Sequence, residues 1–189
     1  VVRQAVERSP HGTVIAVRQL LLMRHAKSSW DDPQLSDHDR PLNSRGRAAA
    51  SAMRTSMAEL GLAPDIVLVS PSRRTLQTLE ALEPWDETPL VDTLESLYLA
   101  TLAQLLRALH GVPETARSVL LLGHNPGLHE LALHLVGPAE MTLANAQTRR
   151  LTEGYPTGAL AEFSIPGPWQ GLGEGGGRLI RLLSPRDLA

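Results

Sequence analysis

Apolar residues gather in short runs that alternate with longer stretches of spaced leucine and alanine. Val17 to Met23 is dominated by leucine and valine, is too brief for a helix and is bounded by charge, so it predicts a buried strand. Ile66 to Val69, introduced by Pro64-Asp65, and Ser118 to Leu122 predict two more, with Leu90-Val91 as a brief strand between them. Ala159 to Ile165 and Arg178 to Leu183 predict two final strands around the turn Gly171 to Gly177. That glycine run precedes a strand rather than a helix, which makes it a hairpin-like connection and a poor phosphate loop.

Helical patterns fill the intervals. Asn43 or Ser44 can cap a helix through the alanine- and methionine-rich segment to Leu60, with Gly61 as its stop. A second helix runs from about Ser72 to Leu82, ended by Pro84. Thr101 and Gln104 form a capping-box pattern ahead of the apolar face Leu102, Leu105, Leu106 and Leu109, and Gly111 closes that helix. Pro126 suits a first helical turn, and Leu128, Leu131, Ala132 and Leu135 line one face up to Gly137. Pro138 to Thr157 has little periodicity. Strands alternating with helices predict a three-layer α/β/α fold with a mostly parallel central sheet.

At 189 residues the chain fits one domain, expected over residues 17–189. Residues 1–16 read as a polar N-terminal leader, with disorder over part of it as one expectation. A net charge of −2 gives no bulk attraction to nucleic acid or to an anionic membrane. There is no cysteine, so disulfides, thiolate catalysis and cysteine-based metal sites are excluded. No apolar run approaches the ~20 residues of a membrane span, and the start of the chain lacks a secretory pattern, so cytoplasm is the default. Lys27 is the only lysine; the other basic residues are arginine.

Three segments share one layout, an apolar strand ending in a basic or polar cluster. They deliver Arg24-His25-Ala26-Lys27, Ser70-Pro71-Ser72-Arg73-Arg74 and Gly123-His124-Asn125-Pro126. In an open α/β sheet the carboxyl ends of the strands form the binding edge. Placing Arg24, His25, Arg74 and His124 there makes a cationic pocket suited to an anion, and the planar fork of arginine suits phosphate. Taken singly, each segment also reads as a solvated strand end, a capped helix start or a turn; their joint occurrence weighs against those readings.

These motifs resemble those of the histidine phosphatase superfamily. Leu22-Met23-Arg24-His25-Ala26 resembles its Arg-His-Gly signature, with Ala26 where glycine is usual. Ser70 to Thr78 resembles Ser-Pro-x-x-Arg-x-x-Gln-Thr, a spacing that matches Arg74 rather than Arg73 to the phosphate-binding arginine. Gly123-His124-Asn125 resembles the second histidine motif, and Arg40-Pro41-Leu42 with Gly46 the Arg-Pro-Leu-x-x-x-Gly segment. The resemblance spans roughly Leu20 to Leu135 and implies a phosphoglycerate mutase-like fold. The compact length is similar to that of the SixA-type phosphohistidine phosphatases, because the segment between the second and fourth strands is too short for the helical subdomain of the mutases.

The resemblance implies His25 as nucleophile and a phosphoenzyme intermediate, with Arg24, Arg74 and His124 stabilising the transferring group. Larger relatives place an acidic proton donor after the third strand, where Glu95 stands here; Asp37 and Asp39 compete for that role. No cofactor and no metal is expected. The expected partners are a phosphorylated protein or a small phosphorylated substrate. A small-molecule phosphomonoesterase and a catalytically weak phospho-ligand binding module are the alternatives. Lys27 reads equally as a reach to substrate or a surface residue, and Trp30 as a pocket mouth or loop packing. His129, His134 and the pair Arg149-Arg150 read as solvated.

Overall fold

The computed structural model describes residues 7–8, 14–15, 17–142 and 145–188. The expectation of a leader falls mostly outside the described residues; within it, β1 (Glu7–Arg8) and β2 (Val14–Ile15) pair antiparallel. The main sheet has six strands: β3 (Arg18–Arg24), β4 (Ile66–Val69), β5 (Leu90–Thr93), β6 (Ser118–Gly123), β7 (Leu160–Ile165) and β8 (Arg178–Leu183). Their order is β5-β4-β6-β3-β7-β8. The pairings from β5 to β3 are parallel, whereas β7 and β8 add an antiparallel edge. The sheet is thus mostly parallel, as the alternating pattern predicts.

The leucine run of β3 shows why this strand is central. Successive side chains of a strand point to opposite faces. Leu20 and Leu22 join one core with Leu105 and Leu109 of α3 (Leu102–His110) and Leu128 and Leu131 of α4 (Gly127–Thr142). Leu21 and Met23 join the other with Met53 and Met57 of α1 (Ser44–Glu59) and Leu79 of α2 (Arg73–Ala81). All four β3 residues are fully buried, each stabilising the fold by about 1.5–3 kcal/mol.

Two glycines set how closely helices approach the strand ends. A Cβ on Gly46 would lie 2.1 Å from the carbonyl oxygen of Lys27, so the first turn of α1 rests on the backbone just beyond His25. Asn43 supports that approach: its side chain caps α1 through the Gly46 N–H, and its own N–H donates to Lys27 O at 3.0 Å. A Cβ on Gly127 would lie 1.9 Å from Ala100 O, so the start of α4 presses on the loop that precedes α3.

The segment expected to lack periodicity contains α5 (Ala146–Glu153), capped by the side chain of Asn145. Only Thr148 and Leu151 of this helix are buried, which is why no apolar stripe marks it. Gly137 does interrupt α4, at φ 73°, and a further turn continues to Thr142. Pro126 lies just before α4 rather than within its first turn. The glycine-rich connection does more than turn: Gly175 N and Gly177 N donate to the carbonyls of His134 and Leu135 on α4. The methyl group of Ala26 is buried with Leu42 and Ala50, away from the strand-end cavity.

Candidate active site

The carboxyl ends of β4, β6 and β3 are neighbours, and the ladder carries their register into the loops. Arg24 lies opposite Gly123, and Val69 opposite Leu122. His25 N continues the pattern to Gly123 O, and Ser70 N to Leu122 O. The residues that follow therefore converge. The rings of His25 and His124 stand 5.2 Å apart, with Arg74 bonded to both. They line a cavity of about 430 Å³ together with Arg24, Lys27, Arg40 and Asn125. Among the described residues lining it, none carries a carboxyl group.

The ring atoms have assignable roles. His25 Nδ1 donates to Ala26 O at 2.7 Å, which leaves Nε2 as the lone-pair nitrogen, and Nε2 accepts from Arg74 Nε at 3.3 Å. Burial lowers the pKa of His25 to about 4, against the backbone bond to Ala26 and with help from the charges of Arg74 and Arg24. Desolvation outweighs the neighbouring arginines that the sequence brings to mind first. His124 is lowered to about 3, again first by burial and then by His25 and Arg74. Arg74 can only donate, so His124 Nδ1 accepts from it and Nε2 donates to Ser70 Oγ at 2.7 Å.

Of the two adjacent arginines, Arg74 is buried and Arg73 exposed. Arg74 is held by Asp37 twice, through its carbonyl at 2.6 Å and its carboxylate at 3.0 Å. The same carboxylate accepts from Arg40 Nη2 at 2.8 Å and from the Tyr98 hydroxyl at 2.6 Å. Burial pushes the Asp37 carboxyl up, but Tyr98, Arg40 and Arg74 outweigh it and hold the group well below the ordinary carboxylate range. Asp37 is therefore an anionic clasp between two arginines. Asp39 is exposed and bonded to Ser36, and Glu95 is exposed on a short 3₁₀ turn, Glu95–Leu97; the structure brings neither to the cavity.

Two contributors carry no signal in the pattern. The carbonyl of Tyr155 accepts from Arg24 Nη1 and from Asn125 Nδ2, each at 2.9 Å. Gly158 N donates to the carbonyls of both Arg24 and His25. Among the described residues, Arg24 Nε is buried without a hydrogen-bond partner. Lys27 is exposed at the cavity edge, as is Trp30. His129 is not solvated as expected: its Nε2 donates to Leu151 O at 2.7 Å. Arg150 pairs with Asp187 at 2.6 Å beside a second cavity that shares Arg24 and Asn125 with the first. Among the described residues, no three His, Asp or Glu side chains are grouped to hold a metal ion, and no helix is long and apolar enough to cross a membrane.

A strand-end pocket of three arginines and two histidines on this mixed sheet defines a phosphatase of the phosphoglycerate mutase-like fold. The chain belongs to the histidine phosphatase superfamily (branch 1), whose family model matches residues 20–95. It is 31% identical to an uncharacterized chloroplastic protein of Arabidopsis thaliana, over 89% of this chain and 78% of the relative. Among solved structures it resembles a protein assigned as phosphohistidine phosphatase SixA from Nakamurella multipartitia, with 29% identity, a TM-score of 0.78 and coverage of 89% and 96% of the two chains. A similar assignment from Agrobacterium tumefaciens gives 27% identity, a TM-score of 0.75 and coverage of 89% and 98%.

Proposed function

We propose that this protein hydrolyses phosphohistidine in a protein partner, with His25 carrying the phosphoryl group between two displacements. The likeness to the two SixA-assigned structures supports that substrate class. One observation carries the reading furthest: the cavity presents cations and a neutral imidazole, and no carboxylic acid among its described lining residues. In the first step His25 Nε2 attacks phosphorus and the phosphorus–nitrogen bond of the substrate breaks, its electron pair leaving with the imidazole. Water then attacks the phosphoenzyme, the bond to Nε2 breaks with its electron pair returning to the ring, the water's proton passes to solvent and inorganic phosphate departs. Catalysis of this kind rests on positioning and on charge stabilisation of the equatorial oxygens.

The residues divide that work. Arg74 Nε shifts from Nε2 of His25 to a phosphoryl oxygen, and the unpartnered Arg24 Nε supplies a second donor. A phosphoryl dianion beside His124 raises the pKa of that ring, so Nδ1 gains a proton and becomes a donor. The substrate ring leaves as neutral imidazole when its second nitrogen already carries a proton, which it takes from solvent near the imidazole reference pKa of about 6.5, so a buried acid is not needed. An alkyl phosphate must expel an alkoxide, for which a positioned acid is worth about 10²–10⁴ in rate. The test compares the rate constants for a phosphohistidine protein and a small alkyl phosphate, in wild type and in Glu95→Gln. A large preference for phosphohistidine, unaffected by the substitution, is expected. A better rate on the alkyl phosphate that disappears in Glu95→Gln would make Glu95 the working acid and remove the phosphohistidine assignment.

A further inference from the structure

The mouth of the cavity differs in chemistry from its floor. Trp30 is 75% exposed and Leu99 52% exposed, and both line the same cavity as His25 and Arg74. Single exposed apolar side chains are ordinary on a protein surface; these two are set apart by sharing one cationic cavity. Each is also held in place. The guanidinium carbon of Arg40 lies 3.4 Å from the centroid of the Trp30 ring, and Arg40 itself is fixed by Asp37 and by Ser28 Oγ. One face of the indole is thus taken.

Leu99 is held differently. Its φ is 48°, the left-handed region that a leucine avoids. The next carbonyl, Ala100 O, is seated against Gly127 where a Cβ would meet it at 1.9 Å, so α4 locks the turn from the far side. A strained conformation persists only where its surroundings over-determine it, and such residues gather at ligand sites.

Resting on the phosphatase reading above, we infer that Trp30 and Leu99 form a leaving-group subsite, two apolar jaws that take a flat aromatic or heteroaromatic group attached to the bound phosphorus. A ring attached to phosphorus bound at His25 shares the cavity that Trp30 and Leu99 line. A small polar alkyl chain gains nothing from either jaw. The subsite therefore selects by shape and apolar area, whereas the arginines below select only for the phosphoryl group.

The probes are phenylphosphonate and methylphosphonate, which bind without turnover, measured by calorimetry on the full chain. Wild type should hold phenylphosphonate about tenfold more tightly, the scale of one stacked, partly desolvated ring. Trp30→Ala should abolish that preference while leaving methylphosphonate affinity within about twofold, and Trp30→Phe should restore most of it. Leu99→Asn keeps a residue that tolerates the left-handed region but removes the apolar jaw, and should reduce the preference about threefold. Equal affinity for the two phosphonates in wild type, or equal losses of both in Trp30→Ala, overturns the subsite and leaves the anion pocket standing. Binding of neither phosphonate overturns the anion pocket and the subsite together.

Discussion

The floor and the rim of the cavity are built on opposite terms. On the floor, His25, Arg74 and His124 are buried and each is fastened by at least one hydrogen bond to a group that cannot easily move. Arg74 alone meets His25, His124 and Asp37. On the rim, Lys27, Trp30 and Leu99 are exposed. Fixed cations in a dry setting stabilise a transition state without reorganising, whereas exposed groups contribute recognition. Substitutions on the floor should therefore move the chemical step, and substitutions on the rim the choice of substrate.

The sharpest way to break that division is His25→Ala. Removing this ring should take turnover below about 10⁻⁴ of wild type, because the other lone-pair nitrogen of the floor, His124 Nδ1, is engaged by Arg74 and takes up a proton beside a bound phosphoryl dianion. Brief mixing with labelled substrate should leave an acid-labile, base-stable phosphoryl group on wild type and none on the variant. Activity near wild type would take His25 out of the mechanism.

A smaller effect separates neighbours in sequence. Arg74→Ala removes a buried donor that lines the cavity beside His25 and, on the proposed mechanism, should cost about 10²–10³ in kcat, while exposed Arg73→Ala should stay within about twofold. Steady-state rates at saturating substrate decide it; equal losses would mean that the second motif is aligned one residue off.

The mildest test is titration. In the unfolded chain the two histidines titrate near about 6.5, and in the folded site they fall to about 4 and about 3. As pH drops below about 6.5 the unfolded state takes up protons that the native site refuses, so stability falls until the native groups also titrate. Melting temperature should decline from pH 7 to 4.5, and less steeply in His25→Ala. Protonation of His25 should limit kcat/KM only near pH 4, so an acid limb in kcat/KM near 6.5 assigned to His25 would contradict a buried, neutral ring.

Most of the floor was legible because it is written in side chains at strand ends. Arg24, His25, Arg74 and His124 each follow an apolar run, and the sheet order makes those runs neighbours. What escaped is written in the backbone or in contacts across the loops. Asp37 read as a competing proton donor, since nothing local tells that its carboxylate meets Arg40, Arg74 and Tyr98 at once. Glu95 read as an acid from its position after the third strand, but the 3₁₀ turn leaves it in solvent. The α5 helix shows two buried residues and so no stripe, and the Tyr155 loop after it works through carbonyl and amide groups that every residue type possesses.

That loop has a consequence for how the site can be dissected. Tyr155 is fastened at both ends: its hydroxyl donates to Leu22 O and accepts from Ala161 N, while its carbonyl receives Arg24 and Asn125. Side-chain replacement at this position changes the anchorage of the loop but can never delete the acceptor itself. Only exchanging the Tyr155 carbonyl oxygen for sulfur, a poorer acceptor, would loosen Arg24 while leaving every side chain in place. A mutational scan of this chain would be blind to one of the supports of Arg24 at the cavity wall.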